Sequence, residues 1–225
     1  MDENCLTITS IDLNLRAKRY LDSLLNKDRR EAENIIMDGV RNGVPIKEIY
    51  LKIFQPVQWE IGNLWQKNQI NVAMEHYCTA ATQFIMSRLY EYIFSTDKNG
   101  RNMVATSISG ELHELGIRMV SDFFEMEGWN TFYLGASTPH NCIIDMINDT
   151  KADILAISTT IYFHIPKVEE LIRYVRENVK RDNLKIIVGG KAFNSYSNLW
   201  REVDADGYAG DADGAIKLAN KLVEV

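Results

Sequence analysis

Over roughly the first ninety residues the apolar positions recur every three or four places, and no stretch alternates apolar with polar residues over the length of a strand. Ile11, Leu15, Leu21, Leu24 and Leu25 predict a first helix, and Ala32, Ile35, Ile36 and Val40 a second that ends near Gly43. Pro45 opens a third, striped by Ile46, Ile49, Ile53, Val57, Ile61 and Leu64, with a kink expected at Pro56. Tyr77, Ala80, Ala81, Phe84, Ile85 and Leu89 stripe a fourth over residues 72–93. Four helices with short connections predict a bundle.

The pattern changes after the polar stretch 95–102, which holds Lys98, Asn99 and Gly100. Short apolar runs at 103–108, 130–134, 154–158, 185–188 and 207–208 read as strands. Helical patterns fall between and after them, at 115–127, 140–148, 168–179, near Leu199 and at 212–223. The expected organisation is a helical domain over residues 10–96 and a second domain over 101–225. Repeated strand–helix units predict the α/β class, with a doubly wound, Rossmann-like parallel sheet covered on both faces. Ligands of such sheets sit at the carboxyl ends of the strands. That singles out the loops at 109–116, 135–139, 158–166 and 189–194.

A chain of 225 residues, 46% hydrophobic, is long enough to bury a core without disulfides or structural metals. Its net charge of −6 leaves neither half with a basic field, which argues against direct nucleic-acid binding. An acidic start and the absence of an apolar run of about 20 residues argue against a signal peptide or a membrane span, so the expected location is cytoplasmic. Cys5, Cys78 and Cys142 form no Cys-x-x-Cys pair and read as reduced thiols.

Candidate chemistry gathers in the strand-end loops. Glu111 stands two residues before His113, at the end of the first strand, where a carboxylate can hold one ring nitrogen and leave the other to a metal. Ser158 and Thr160 place hydroxyls at the end of the third strand, and Gly189-Gly190 lets a ligand approach the backbone after the fourth. Neither a Gly-x-Gly-x-x-Gly fingerprint nor a P-loop is present.

Order and spacing give these loops a likeness. Glu111-x-His113-x-x-Gly116 is followed after 41 residues by Ser158-x-Thr160, and after 28 more by Gly189-Gly190. This resembles the cobalamin-binding domain, with Glu111 in place of the usual Asp and Thr160 in place of Leu. The resemblance implies that His113 is the lower axial ligand of cobalt. It also implies that Leu112 and Gly116 border the cofactor, and that the displaced nucleotide tail inserts beside Ser158, Thr160, Gly189 and Gly190.

In the helical region nine residues, 66–74, separate Trp65 from Glu75-His76, with Val72 one turn before His76. The Trp-x9-Glu-His pattern resembles the light-sensing cobalamin photoreceptors of the carotenoid-regulating type. The resemblance implies a bundle that caps the upper face of adenosylcobalamin through Trp65, Val72, Glu75 and His76, with methylcobalamin as an alternative cofactor. It implies a non-enzymatic sensor that signals on photolysis by changing conformation, self-association or the binding of an unidentified signalling partner. Two features depart from that family: no helix-turn-helix domain precedes Ile11, and Gln66 stands where many relatives have a histidine.

The rival reading is a corrinoid carrier of a methyltransferase system, which shares the layout and the axial histidine but needs its upper face open. A domain that has lost its cofactor is the third. His140 is expected in an exposed first turn, His164 near the corrin, and Asp211 as the N-cap of the last helix.

Overall fold

The computed structural model describes residues 3–94, 97–181, 183–196 and 198–224, and side chains from residue 12 onward. Expectations resting on Cys5, the side chain of Ile11, Ser95 and Val225 lie outside the described residues. The chain divides into two compact units, Met1–Ile93 and Phe94–Val225.

The first unit is helical: α1 (Glu3–Leu25), α2 (Arg29–Arg41), α3 (Ile46–Ile49), a π-helical stretch (Tyr50–Phe54), α4 (Gln55–Gln66), α5 (Val72–Arg88) and α6 (Tyr90–Ile93). Asp28 caps α2 by accepting from Glu31 N–H, and Asn71 caps α5 by accepting from Met74 N–H. Pro56 has no N–H to give and its ring crowds the preceding turn. The chain accommodates it with the wider π turn just upstream rather than with the simple kink expected at Pro56 itself.

The buried faces of two helices are displaced from the expected stripes. In α1 the core positions are Leu13, Tyr20 and Leu24, while Leu15 is exposed. In α5 they are Cys78, Ala81, Thr82, Ile85 and Met86, while Phe84 is exposed and lies under the Arg29 guanidinium. The cause is a polar seam inside the bundle. Tyr20 Oη meets Thr82 Oγ1 at 2.8 Å, Gln58 donates to Thr82 at 2.7 Å, and Thr79 donates to Gln58 at 3.1 Å. A hydroxyl that finds partners inside is buried as readily as a leucine.

The second unit is the expected doubly wound domain. Its order is β1 (Asn102–Ser107), α7 (Leu115–Met126), β2 (Asn130–Tyr133), α8 (His140–Thr150), β3 (Ile154–Ser158), α9 (Ile165–Asn178), β4 (Lys185–Gly189), α10 (Lys191–Asn194), α11 (Leu199–Glu202), β5 (Gly207–Ala209) and α12 (Ala212–Val223). The five strands are parallel in the order β2-β1-β3-β4-β5. Val104, Ile108, Leu155, Ile157, Ile186 and Val188 form one core with Ile143, Ile144 and Ile147 of α8 and Val168, Leu171, Ile172 and Val175 of α9. The alternate strand positions, Met103, Ala105, Ile154, Ala156 and Ile187, are buried on the other face, covered by α7 and α12. Asp211 caps α12 through Gly214 N–H at 2.7 Å, as expected. His140 is half-buried against Tyr174 instead of exposed.

Cys78 is wholly buried, and burial, reinforced by the nearby Glu75 carboxylate, pushes its thiol up to about 11; Cys142 is exposed. A maleimide at pH 7.5 therefore labels Cys142 within minutes and Cys78 only on unfolding. Peptide mass mapping reads the two sites separately, and equal labelling in the native protein would contradict this core.

Candidate functional site

Two neighbouring strands, β1 and β3, send their chains in opposite directions: α7 leads from β1 to β2, and α9 leads from β3 to β4. The topological switch point therefore lies at the carboxyl ends of these two strands, where ligands of such sheets bind. The loop after β1 carries Glu111, Leu112 and His113, and the loop after β3 carries Thr159, Thr160 and Ile161.

Glu111 ties the two loops together. Its side chain is fully buried. One carboxylate oxygen accepts from the His113 backbone N–H at 3.1 Å and holds His113 Nδ1 in a short contact. The other accepts from Thr160 N–H at 2.9 Å and Ile161 N–H at 3.1 Å, and meets Thr159 Oγ1 at 3.3 Å and His164 Nδ1 at 3.4 Å. Burial raises the Glu111 carboxyl, but the His113 ring and the N–H groups of Thr160, His113 and Ile161 outweigh it and hold it well below the usual carboxylate range. An ionised carboxylate accepts only, so His113 presents N–H at Nδ1 to Glu111, and the neutral form of the ring carries its lone pair at Nε2.

That donor set suits one kind of metal. The His113 side chain is 44% exposed, while its carboxylate partner is sealed in the protein. Among the described residues no group of three or more His, Cys, Asp or Glu side chains is placed to hold a metal ion. A single oriented imidazole fits a metal that arrives inside its own ring of equatorial ligands, not a bare ion. Leu112 and Phe163, 76% and 88% exposed, stand with Ile161 and Tyr162 in the loops around it, an apolar rim suited to the face of a flat ring.

The glycine pair forms a cradle beside Ser158. A Cβ on Gly190, at φ +96°, would lie 2.4 Å from Thr159 O and 3.0 Å from Ser158 Oγ, and one on Gly189 would lie 2.9 Å from Ala209 O. Ser158 pairs in register with Gly189 and is buried. Gly116 lies in the first turn of α7, where nothing approaches the position of a Cβ. Thr160, expected to offer its hydroxyl, contributes its backbone N–H to Glu111. The Thr159 hydroxyl, the Ile161 N–H and the His164 ring also converge on that carboxylate, contacts that sequence reasoning did not assign. Backbone donors leave no sequence signal, although the hydroxyl run 158–160 pointed to the loop.

The helical unit brings Glu75 and His76 within 3.5 Å, and Thr79 donates to Glu75 at 3.2 Å. Trp65 in the last turn of α4 and Val72 at the start of α5 are exposed.

Replacing Glu111 by Gln keeps the shape but removes the charge that six groups from five residues address. Glu111→Gln is expected to lower the unfolding free energy at pH 7 by about 2–3 kcal/mol. The wild-type advantage is present above the ordinary carboxylate pKa and shrinks as pH falls below it, because the unfolded chain then binds the proton first. Denaturant melts of both proteins at pH 7 and pH 4 check this; an equal gap at the two pH values would contradict it.

Comparison with known proteins agrees with this geometry. Residues 101–218 match the B12 binding domain, and residues 16–90 match a second B12 binding domain family. A corrinoid protein of Desulfitobacterium hafniense is 31% identical over 122 residues, 54% of this chain, and the alignment spans only 55% of that relative's length. Dimethylamine corrinoid protein 3 of Methanosarcina acetivorans is 24% identical over 191 residues, covering 83% of this chain and 87% of that protein. The solved monomethylamine corrinoid protein of Methanosarcina barkeri has the same fold, with a TM-score of 0.77 at 18% identity over 91% of this chain and 95% of that one.

These findings overturn the expectation of a light sensor, because the relatives are corrinoid proteins, two of them named for methylamines. The Trp-x9-Glu-His spacing has a local cause: Trp65 ends one helix and Asn71 caps the next, so the interval measures a helix–turn–helix connection rather than a photochemical site. With a family match over more than half its length, the chain belongs to the B12-binding domain family.

Proposed function

We propose that this protein is a corrinoid carrier, a non-catalytic subunit that holds a cobalamin and presents it to methyltransferase partners acting on a methylated amine. The observation that carries the reading is the Glu111–His113 pair, a sealed carboxylate orienting an accessible imidazole at the switch point of the sheet. The relatives' names and the coverage of the dimethylamine corrinoid protein support the assignment to a methyl-transfer system.

A bound corrinoid supplies a cobalt centre that takes up and gives away a methyl group. The chain's residues supply the rest. His113 would hold the cobalt through Nε2, and Glu111 would fix the tautomer and direction of its ring. Leu112 and Phe163 offer apolar area to a corrin edge. Ser158, Thr160, Gly189 and Gly190 are assigned to the nucleotide tail, and Gly116 to the wall beside His113. Trp65, Val72, Glu75 and His76 of the helical unit are assigned to cofactor contacts that a carrier requires a partner to be able to displace.

Protein incubated with hydroxocobalamin and desalted is expected to retain about one equivalent, with the absorption spectrum of histidine-ligated cobalamin. His113→Ala loses that spectrum, and Glu111→Ala binds about 10- to 100-fold more weakly. After reduction, the loaded protein takes a methyl group from a methylated-amine methyltransferase, read as the change from the reduced to the alkylated spectrum, and Trp65→Ala keeps this ability. A colourless wild-type protein would reject the reading. Loaded protein that accepts no methyl group would reject the carrier role alone.

A further inference from the structure

Ser107 ends β1 with a buried hydroxyl that has no hydrogen-bond partner among the described residues. Its surroundings are otherwise satisfied: Ser107 N–H donates to Gly135 O at 3.0 Å, and the neighbouring Thr106 hydroxyl donates to Ser107 O at 3.0 Å. A buried hydroxyl left unmatched in a well-packed sheet calls for an explanation.

The sheet register says what lies beside it. Ser107 pairs with Ser158, and Ser158 pairs with Gly189, so the three share one face at the carboxyl ends of three adjacent strands. The opposite face carries Val104 and Ile108 into the core with α8 and α9, which puts Ser107 on the side of α7 and α12. Helix α7 holds a second buried hydroxyl without a partner, Ser121. Two hydroxyls and a glycine therefore line one row, next to the Gly190 position where a Cβ would collide with the neighbouring strand end.

Cobalamin chemistry supplies a group for this row. The lower axial position of cobalt admits one ligand, so an imidazole from His113 frees the cofactor's own nucleotide base. That base brings an unprotonated ring nitrogen, and its ribose and phosphate bring oxygens, all of them acceptors. Resting on the cofactor assignment under Proposed function, we propose that Ser107 Oγ donates a hydrogen bond to the displaced nucleotide beside Ser158. Ser107 is thereby a specificity residue that separates complete cobalamin from corrinoids lacking the nucleotide.

The test compares cobalamin with cobinamide, which keeps the corrin ring and lacks the nucleotide, by absorption titration of the full chain and its Ser107→Ala variant. The expected result is a five- to tenfold loss of cobalamin affinity with cobinamide affinity unchanged. The apoprotein melting temperature is expected to stay level or rise, since the variant removes a hydroxyl that was buried without a partner. Equal losses for both ligands, or a lowered apoprotein melting temperature, would make Ser107 a structural residue and overturn the proposal. No loss for either ligand, or a wild-type protein that binds the two equally well, would also overturn it while leaving the cofactor assignment standing. Wild-type protein that binds neither would overturn that assignment itself.

Discussion

A single buried carboxylate organises the crevice between β1 and β3. Glu111 has no solvent exposure, and its charge persists there because donors from two separate loops converge on it. Burying a carboxylate without such partners would cost several kcal/mol, so the β1 and β3 loops are held in mutual register as a condition of the fold. The carboxylate is used at both ends: one oxygen reaches His113 while the other reaches the backbone of Thr160 and Ile161.

The parallel sheet makes that convergence possible. In the order β2-β1-β3-β4-β5, the connections from β1 and β3 diverge to opposite sides, which makes the ends of these two strands the switch point of the sheet. The in-register row Ser107, Ser158 and Gly189 keeps small groups at the strand ends, where larger side chains would fill the space between sheet and helices. The glycines extend the same logic, since at Gly190 both the positive φ and the nearness of Thr159 O exclude a side chain.

Much of this is legible in the sequence alone. The strand at 154–158 and the helix at 212–223 stand where the periodicity put them, because a fully buried strand and an N-capped helix are locally marked. The Glu-x-His spacing exposed the pair, because a short-range contact is written in short-range sequence. What stayed hidden depends on long-range geometry: the N–H groups of Thr160 and Ile161 have no residue-type signature, and the Ser107 hydroxyl looks like any other strand residue. In the helical unit, an apolar stripe gives the wrong phase wherever a hydroxyl finds partners inside the bundle. Thr82 and Cys78 belong to the core of α5, and Phe84 does not, because Tyr20 and Gln58 satisfy the threonine from other helices.

The same contrast explains why the sequence points to the right cofactor family and to the wrong function. The strand-end motif encodes chemistry, since one imidazole, one carboxylate and two glycines at those positions constrain what can bind. The Trp65-x9-Glu75-His76 interval encodes mainly a helix end, a turn capped by Asn71, and the first turn of α5. Spacing set by local helix geometry recurs wherever two helices meet in this way, so it separates a sensor from a carrier poorly. The discriminating quantity is how much more tightly a bound ligand holds one conformation than the other, an energy that no residue interval specifies. A carrier must let partners in and a sensor must hold its lid until triggered, so the two functions can share every residue of the motif and differ only in the free energy of opening.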